Sequence, residues 1–111
     1  MTPMTVDFLA AKLNLKPVCC PNPQKEVTGA YIGDLLSWVM GRAKAGDAWL
    51  TIMSNINIVA VAALADTALI ILTEGVTVDE KTAETALSKG VNIFTSQEPA
   101  YETAVKISQL L

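Results

Sequence analysis

From Thr5 to Leu13 the apolar residues fall at Val6, Leu9, Ala10 and Leu13. Steps of three, one and three predict a helix. Thr5 is placed to cap it, and Asp7 lies in the first turn, where the helix dipole favours an acid. Residues 15–20 read as a short strand, ended by Pro21-Asn22-Pro23, because proline brings no ladder donor. Residues 27–32 are β-rich, and Gly33-Asp34 breaks them. Asp34 or Ser37 is expected to cap a helix over residues 35–44, with Gly46-Asp47 turning the chain into a strand over residues 48–53.

Ser54 or Asn55 is expected to cap a helix over residues 56–65 that carries no charge. A helix apolar on every side is expected to be covered on every side, between the sheet and other helices or against its copy in a dimer. Residues 68–72, Ala-Leu-Ile-Ile-Leu, read as a strand with both faces covered. Residues 79–89 form a polar helix with acids at its start, Lys89 at its end and Gly90 as its C-cap. A strand over residues 91–94 follows, then a last helix opened by Ser96 or Glu98, with Pro99 in its first turn, and running to Leu111. Strands that alternate with helices predict an α/β fold, a mainly parallel sheet with helices on both faces. No linker divides the chain, so residues 1–111 are expected to form one domain.

Composition narrows the function. The 111 residues are 51% hydrophobic and 17% charged, with 8 bases, 11 acids, a formal charge of −3 and no histidine. That apolar fraction excludes a disordered segment. The acidic balance lacks the footprint of a nucleic-acid binder. Missing histidine removes the commonest general base and metal ligand. The charged fraction lies below the ~25% usual in soluble domains, as when part of the surface is hidden against another subunit. The start of the chain lacks a basic region and a long apolar run, and no uninterrupted stretch approaches the ~20 residues of a membrane span. The chain is therefore expected to be cytoplasmic and to contact no membrane.

Chemistry is sparse. There is no phosphate loop, no dinucleotide-binding glycine pattern and no nucleophile elbow. Cys19 and Cys20 are adjacent, closer than an unstrained disulfide allows, and two thiols without imidazole do not make a zinc site. They read as free thiols, one inward and one outward. No catalytic residue, metal or cofactor is expected, and the chain is not expected to be an enzyme. The remaining signal is positional. Ligands of open α/β sheets bind beyond the carboxyl ends of the strands. Polar residues follow those ends here: Asn55 and Asn57, Thr73 and Glu74, and Ser96. They are candidate ligand-binding residues as well as ordinary caps and turns. Tyr31, Trp38 and Trp49, with Ile58 and Val61 on the uncharged helix, are the candidate homodimer interface, since tryptophan and tyrosine are enriched in interface cores.

The segment Val27-Thr28-Gly29-Ala30-Tyr31-Ile32-Gly33-Asp34-Leu35-Leu36-Ser37 resembles the signature of the DRTGG domain family. Gly46-Asp47-Ala48-Trp49-Leu50-Thr51-Ile52, Asn57-Ile58-Val59-Ala60-Val61-Ala62 and Ile70-Ile71-Leu72-Thr73-Glu74-Gly75 also look like that family. Gln24-Lys25 stand where Asp-Arg would be, Ala30 replaces the second glycine, and Asn55 lies where relatives can carry histidine. The resemblance implies a fold like the N-terminal domain of HPr kinase/phosphorylase, without the phosphate-loop domain that carries the kinase chemistry. Relatives accompany CBS domains, including in a regulated pyrophosphatase that binds adenine nucleotides. The resemblance therefore implies regulation or assembly: a homodimeric interaction module for an unknown protein partner or, alternatively, a sensor of a nucleotide-like ligand. It adds Thr28, Gly29 and Asp34 to the candidate ligand-binding residues.

Overall fold

The computed structural model describes residues 3–111. In chain order the elements are α1 Val6–Leu13, β1 Lys16–Cys19, β2 Gly29–Ile32, α2 Leu36–Arg42, β3 Asp47–Thr51, α3 Asn57–Ala65, β4 Leu69–Leu72, α4 Glu80–Lys89, β5 Ile93–Thr95 and α5 Ala100–Ser108. The strands form one sheet in the order β1-β5-β4-β3-β2. β2 to β5 are parallel to their neighbours, and β1 lies antiparallel on β5. The expected α/β class and the helices on both faces are what the structure shows.

Each step from β2 to β5 moves one strand along the sheet through one helix. Crossovers of one hand place such helices on one face. α2 packs beside α3 and α3 beside α4, while α1 and α5 pack together elsewhere. Successive strand residues point to opposite faces. Trp49, Ile70 and Ile93 accordingly join Val39, Ile58, Val61 and Ala86 beneath the three-helix layer. Leu50, Leu69 and Ile71 join Val6, Leu9 and Ile107 against α1 and α5.

β1 and β2 are consecutive in sequence yet form opposite edges of the sheet. The segment between them crosses the ends of the other strands and is fastened on the way. Asn22 Nδ2 donates to the Gly90 carbonyl at 2.8 Å, and the Asn22 N–H donates to Asn92 Oδ1 at 2.9 Å. Lys25 pairs with Asp66 at 2.6 Å, and the Thr28 N–H donates to the Gly46 carbonyl at 2.9 Å. Gly46 has φ +86°, a conformation that suits glycine.

Three expectations change. The uncharged helix is not covered on every side: α3 buries Ile58, Val59, Val61 and Ala62 but leaves Ile56, Ala60, Ala63 and Leu64 exposed, Leu64 to 72%. An outer-layer helix has the sheet beneath and one helix on each flank, so its fourth side faces outward. Asp34 and Ser37 do not cap α2, whose N-cap is Leu35 without a side-chain bond. Trp49, Ile58 and Val61 are enclosed by the chain's own core, at 0%, 0% and 3% exposure, so they offer no surface to a second copy. Trp49 also donates from Nε1 to the Gly33 carbonyl at 2.9 Å, which fixes it as a core residue.

Candidate functional site

Parallel strands bring Asp34, Asn55, Asn57, Thr73, Glu74 and Ser96 to one edge of the sheet, beyond the strand ends. Several of their polar groups are bonded to neighbouring residues of that edge. Asp34 Oδ1 accepts from Thr51 Oγ1 at 2.8 Å and from the Ile52 N–H at 3.0 Å, tying β2 to β3. Asn55 Oδ1 accepts the Asn57 N–H at 2.9 Å in the first turn of α3. The Thr73 N–H donates to the Thr51 carbonyl at 3.1 Å. Glu74 and Gly75 are both left-handed, with φ 58° and 72°. That turn aims their N–H groups at the Glu98 and Ser96 carbonyls, at 2.9 and 2.8 Å. Ser96 is buried; its hydroxyl accepts the Glu98 N–H at 3.2 Å and pairs with Thr103 Oγ1 at 3.1 Å. The clefts on α3, at the start of β2 and beside β1 are not lined by Asn55, Thr73, Glu74 or Ser96. A cleft of about 370 Å³ at this edge is instead lined by Lys16, Gly75, Thr77, Thr95 and Gln97, beside β1.

Thr28 and Gly29 do not join this group. They lie at the start of β2 and Asp34 lies past its end, so the length of the strand separates them. They line a different cleft of about 450 Å³, with Tyr31, Arg42, Lys44 and Asp47. Asp47 is buried and its Oδ2 accepts the Lys44 N–H at 2.8 Å. A Cβ at Gly29 would sit 2.7 Å from Asp47 Oδ1, so the carboxylate needs glycine there. Arg42 lies over the Trp38 ring, 3.8 Å from its centroid. Cation–π contact holds the guanidinium in place. Among the described residues, neither Arg42 nor Lys44 forms an ion pair.

A third feature was missed in the sequence. Ile32, Leu35, Trp38 and Ile52 are each about half exposed, at 52%, 56%, 52% and 49%. They surround the end of β2 and the start of α2, where Asp34 holds Ile52 against the turn. Tyr31, the other expected interface residue, is half-buried against the core beside them. The four lie in different elements, so no single period marks them.

Both cysteines are free and half-buried, and they pack on opposite sides of the sheet. Burial pushes both thiols above their ordinary range. A raised pKa leaves little thiolate at neutral pH, so neither is an activated nucleophile. Among the described residues no cluster of carboxylates and thiols is arranged to hold a metal, and no helix is long and apolar enough to cross a membrane.

In comparisons with known proteins, no curated protein matches the chain. Among solved structures it is similar to the CBS and DRTGG domains of the regulatory region of Clostridium perfringens pyrophosphatase, complexed with the activator diadenosine tetraphosphate. The TM-score is 0.77 at 15% identity, over 96% of this chain and 47% of that one, so the chain spans about half the length of that relative. At that identity the likeness is one of fold. The DRTGG domain model matches residues 21–110, from the crossing segment to α5, and the chain belongs to the DRTGG domain family.

Proposed function

We propose that the chain is a regulatory interaction module, without catalysis of its own, that acts as a homodimer. The observation that carries this reading is the exposure of Ile32, Leu35, Trp38 and Ile52 around the β2/α2 edge. Ile32 is in register with Leu50, on the α1/α5 face, and Trp38 stands on α2, on the other, so these exposed apolar residues flank both sides of the β2 edge, and exposed apolar surface of this kind marks an interaction site. Trp38 is the natural anchor, since tryptophan dominates interface hot spots. The regulatory part rests on family membership and on the neighbour, whose matching domain sits in a regulatory region.

Light scattering across a concentration series tests the homodimer. The native chain is expected to approach twice the 11.8 kDa of one chain at micromolar concentrations. Trp38→Glu is expected to hold the chain at monomer mass with its fold intact, because Trp38 is outside the core. A native chain that stays monomeric up to ~1 mM removes the reading.

A second reading, a sensor of a nucleotide-like ligand, is favoured by a separate observation. Arg42 and Lys44 line the cleft that holds Thr28 and Gly29, and two cations beside a hydroxyl suit a phosphate. The neighbour's activator is a polyphosphate nucleotide. This reading moves the ligand from the carboxyl edge of the sheet to the start of β2.

A further inference from the structure

We infer that two copies of this chain join edge to edge, β2 against β2, to make one continuous ten-stranded sheet. The inference rests on the homodimer proposed above and names its geometry. The two edges of the five-stranded sheet, β1 and β2, are built differently. β1 carries Lys16 and Pro17, and its register is broken between Pro17 and Cys19. Charge, proline and a bulge are the devices that stop an edge from pairing. β2 is Gly-Ala-Tyr-Ile, with no charge, no proline and an unbroken register on β3. One edge is protected and the other is left ready to pair.

The free groups of β2 can be named. The Gly33 N–H donates to the Leu50 carbonyl at 3.2 Å. Peptide groups alternate sides along a strand, so Gly29 and Tyr31 face β3, while the N–H and C=O of Ala30 and Ile32 point away from it. Identical strands paired about a two-fold axis run antiparallel. Ala30 and Ile32 of each copy then exchange backbone hydrogen bonds with the other.

Charge favours a second copy over an unrelated strand. Antiparallel pairing brings the start of one β2 to the end of the other. Arg42 and Lys44 line the cleft at the start. Asp34 stands exposed past the end, with Oδ1 taking both of its bonds and Oδ2 free among the described residues. The cations of each copy therefore meet the carboxylate of the other, twice by symmetry. The same contact covers Ile32 and the apolar residues around it.

Amide hydrogen exchange by NMR, across the concentrations where dimer forms, tests the pairing on the native chain. The Ala30 and Ile32 amides are expected to exchange freely in the monomer and to slow at least tenfold as dimer accumulates, with Tyr31 and Gly33 already slow. Ala30→Pro removes one outward N–H that has no partner among the described residues and sits where an edge strand tolerates proline. It is expected to weaken self-association at least tenfold while the monomer's unfolding midpoint holds. Dimer that forms with Ala30 and Ile32 still exchanging freely overturns the strand pairing and leaves the homodimer standing. Absence of any dimer overturns both.

Discussion

Asn92 sits one residue before β5, 1% exposed, and its side chain holds the crossing segment to the sheet. Its Nδ2 donates to the carbonyls of Asn22 and Ala68, at 2.8 and 3.0 Å, while its Oδ1 accepts the Asn22 N–H. Asn92→Ala would strand buried donors and acceptors, each costing ~1–3 kcal/mol when left unpaired. The variant is expected to lose about 2–3 kcal/mol, read as a lower urea midpoint at unchanged slope; an unchanged midpoint would show that water replaces the amide. Nothing in the sequence distinguishes Asn92 from a loop asparagine, because its partners lie 70 and 24 residues away. Asp34 teaches the same lesson in reverse. Its place before a helix suggests a cap, yet its carboxylate bonds Thr51 and Ile52, on the next strand. Roles set by distant partners are not visible in local pattern. Roles set by side-chain size mislead differently: Trp49 and Trp38 both suggest an interface, and only the helix layer packed over β3, with Val39 and Ile58, shows that Trp49 is a core residue.

Helices and strands were the most legible scale. Periodicity located each of the ten elements, and their ends moved by a few residues, as when the strand expected over residues 15–20 shortened to Lys16–Cys19. The Thr5 cap of α1 and the Gly90 C-cap of α4 were also readable, because a cap bonds close by in sequence, whereas Asp79, read as the first acid of α4, is its N-cap. Asp79 accepts the Thr82 N–H at 2.8 Å. Bonds from the Thr82 side chain and backbone hold the Asp79 carboxyl below its ordinary range. A folded value below the unfolded one gives stability that is present above the unfolded pKa and lost as pH falls through the folded one. Asparagine caps as well as aspartate but does not titrate. Asp79→Asn is therefore expected to flatten the loss of stability with acid between roughly pH 5 and 2, measured by denaturation at each pH. Identical acid profiles would show that the cap does not contribute. The open side of α3 was not legible, because an uncharged sequence cannot show which side its neighbours leave bare.

Over the whole molecule, alternation of strands and helices was enough for the class and the layers. The pairing of β1 was not, since Lys16 meets Thr95 from the far end of the chain. Thr28 and Asp34, six residues apart, lie at opposite ends of β2, separated by the length of that strand. β3 and β4 are the interior strands of the parallel unit, and every residue in both is buried. Their amides are expected to exchange only through global unfolding, while β1 opens at lower cost from its irregular edge. Native-state exchange against denaturant checks this; β1 amides as slow as those of β4 would contradict it. The same pairing sets a schedule during synthesis. β1 leaves the ribosome early, but its partner β5 follows more than seventy residues later, a delay of several seconds at ~5–20 residues per second. In that interval β2, β3 and β4 can assemble in order of emergence, while β1 waits as a bare strand in a crowded cell. Lys16 and Pro17 therefore have their greatest use before the fold exists, keeping the waiting strand from pairing with a stranger.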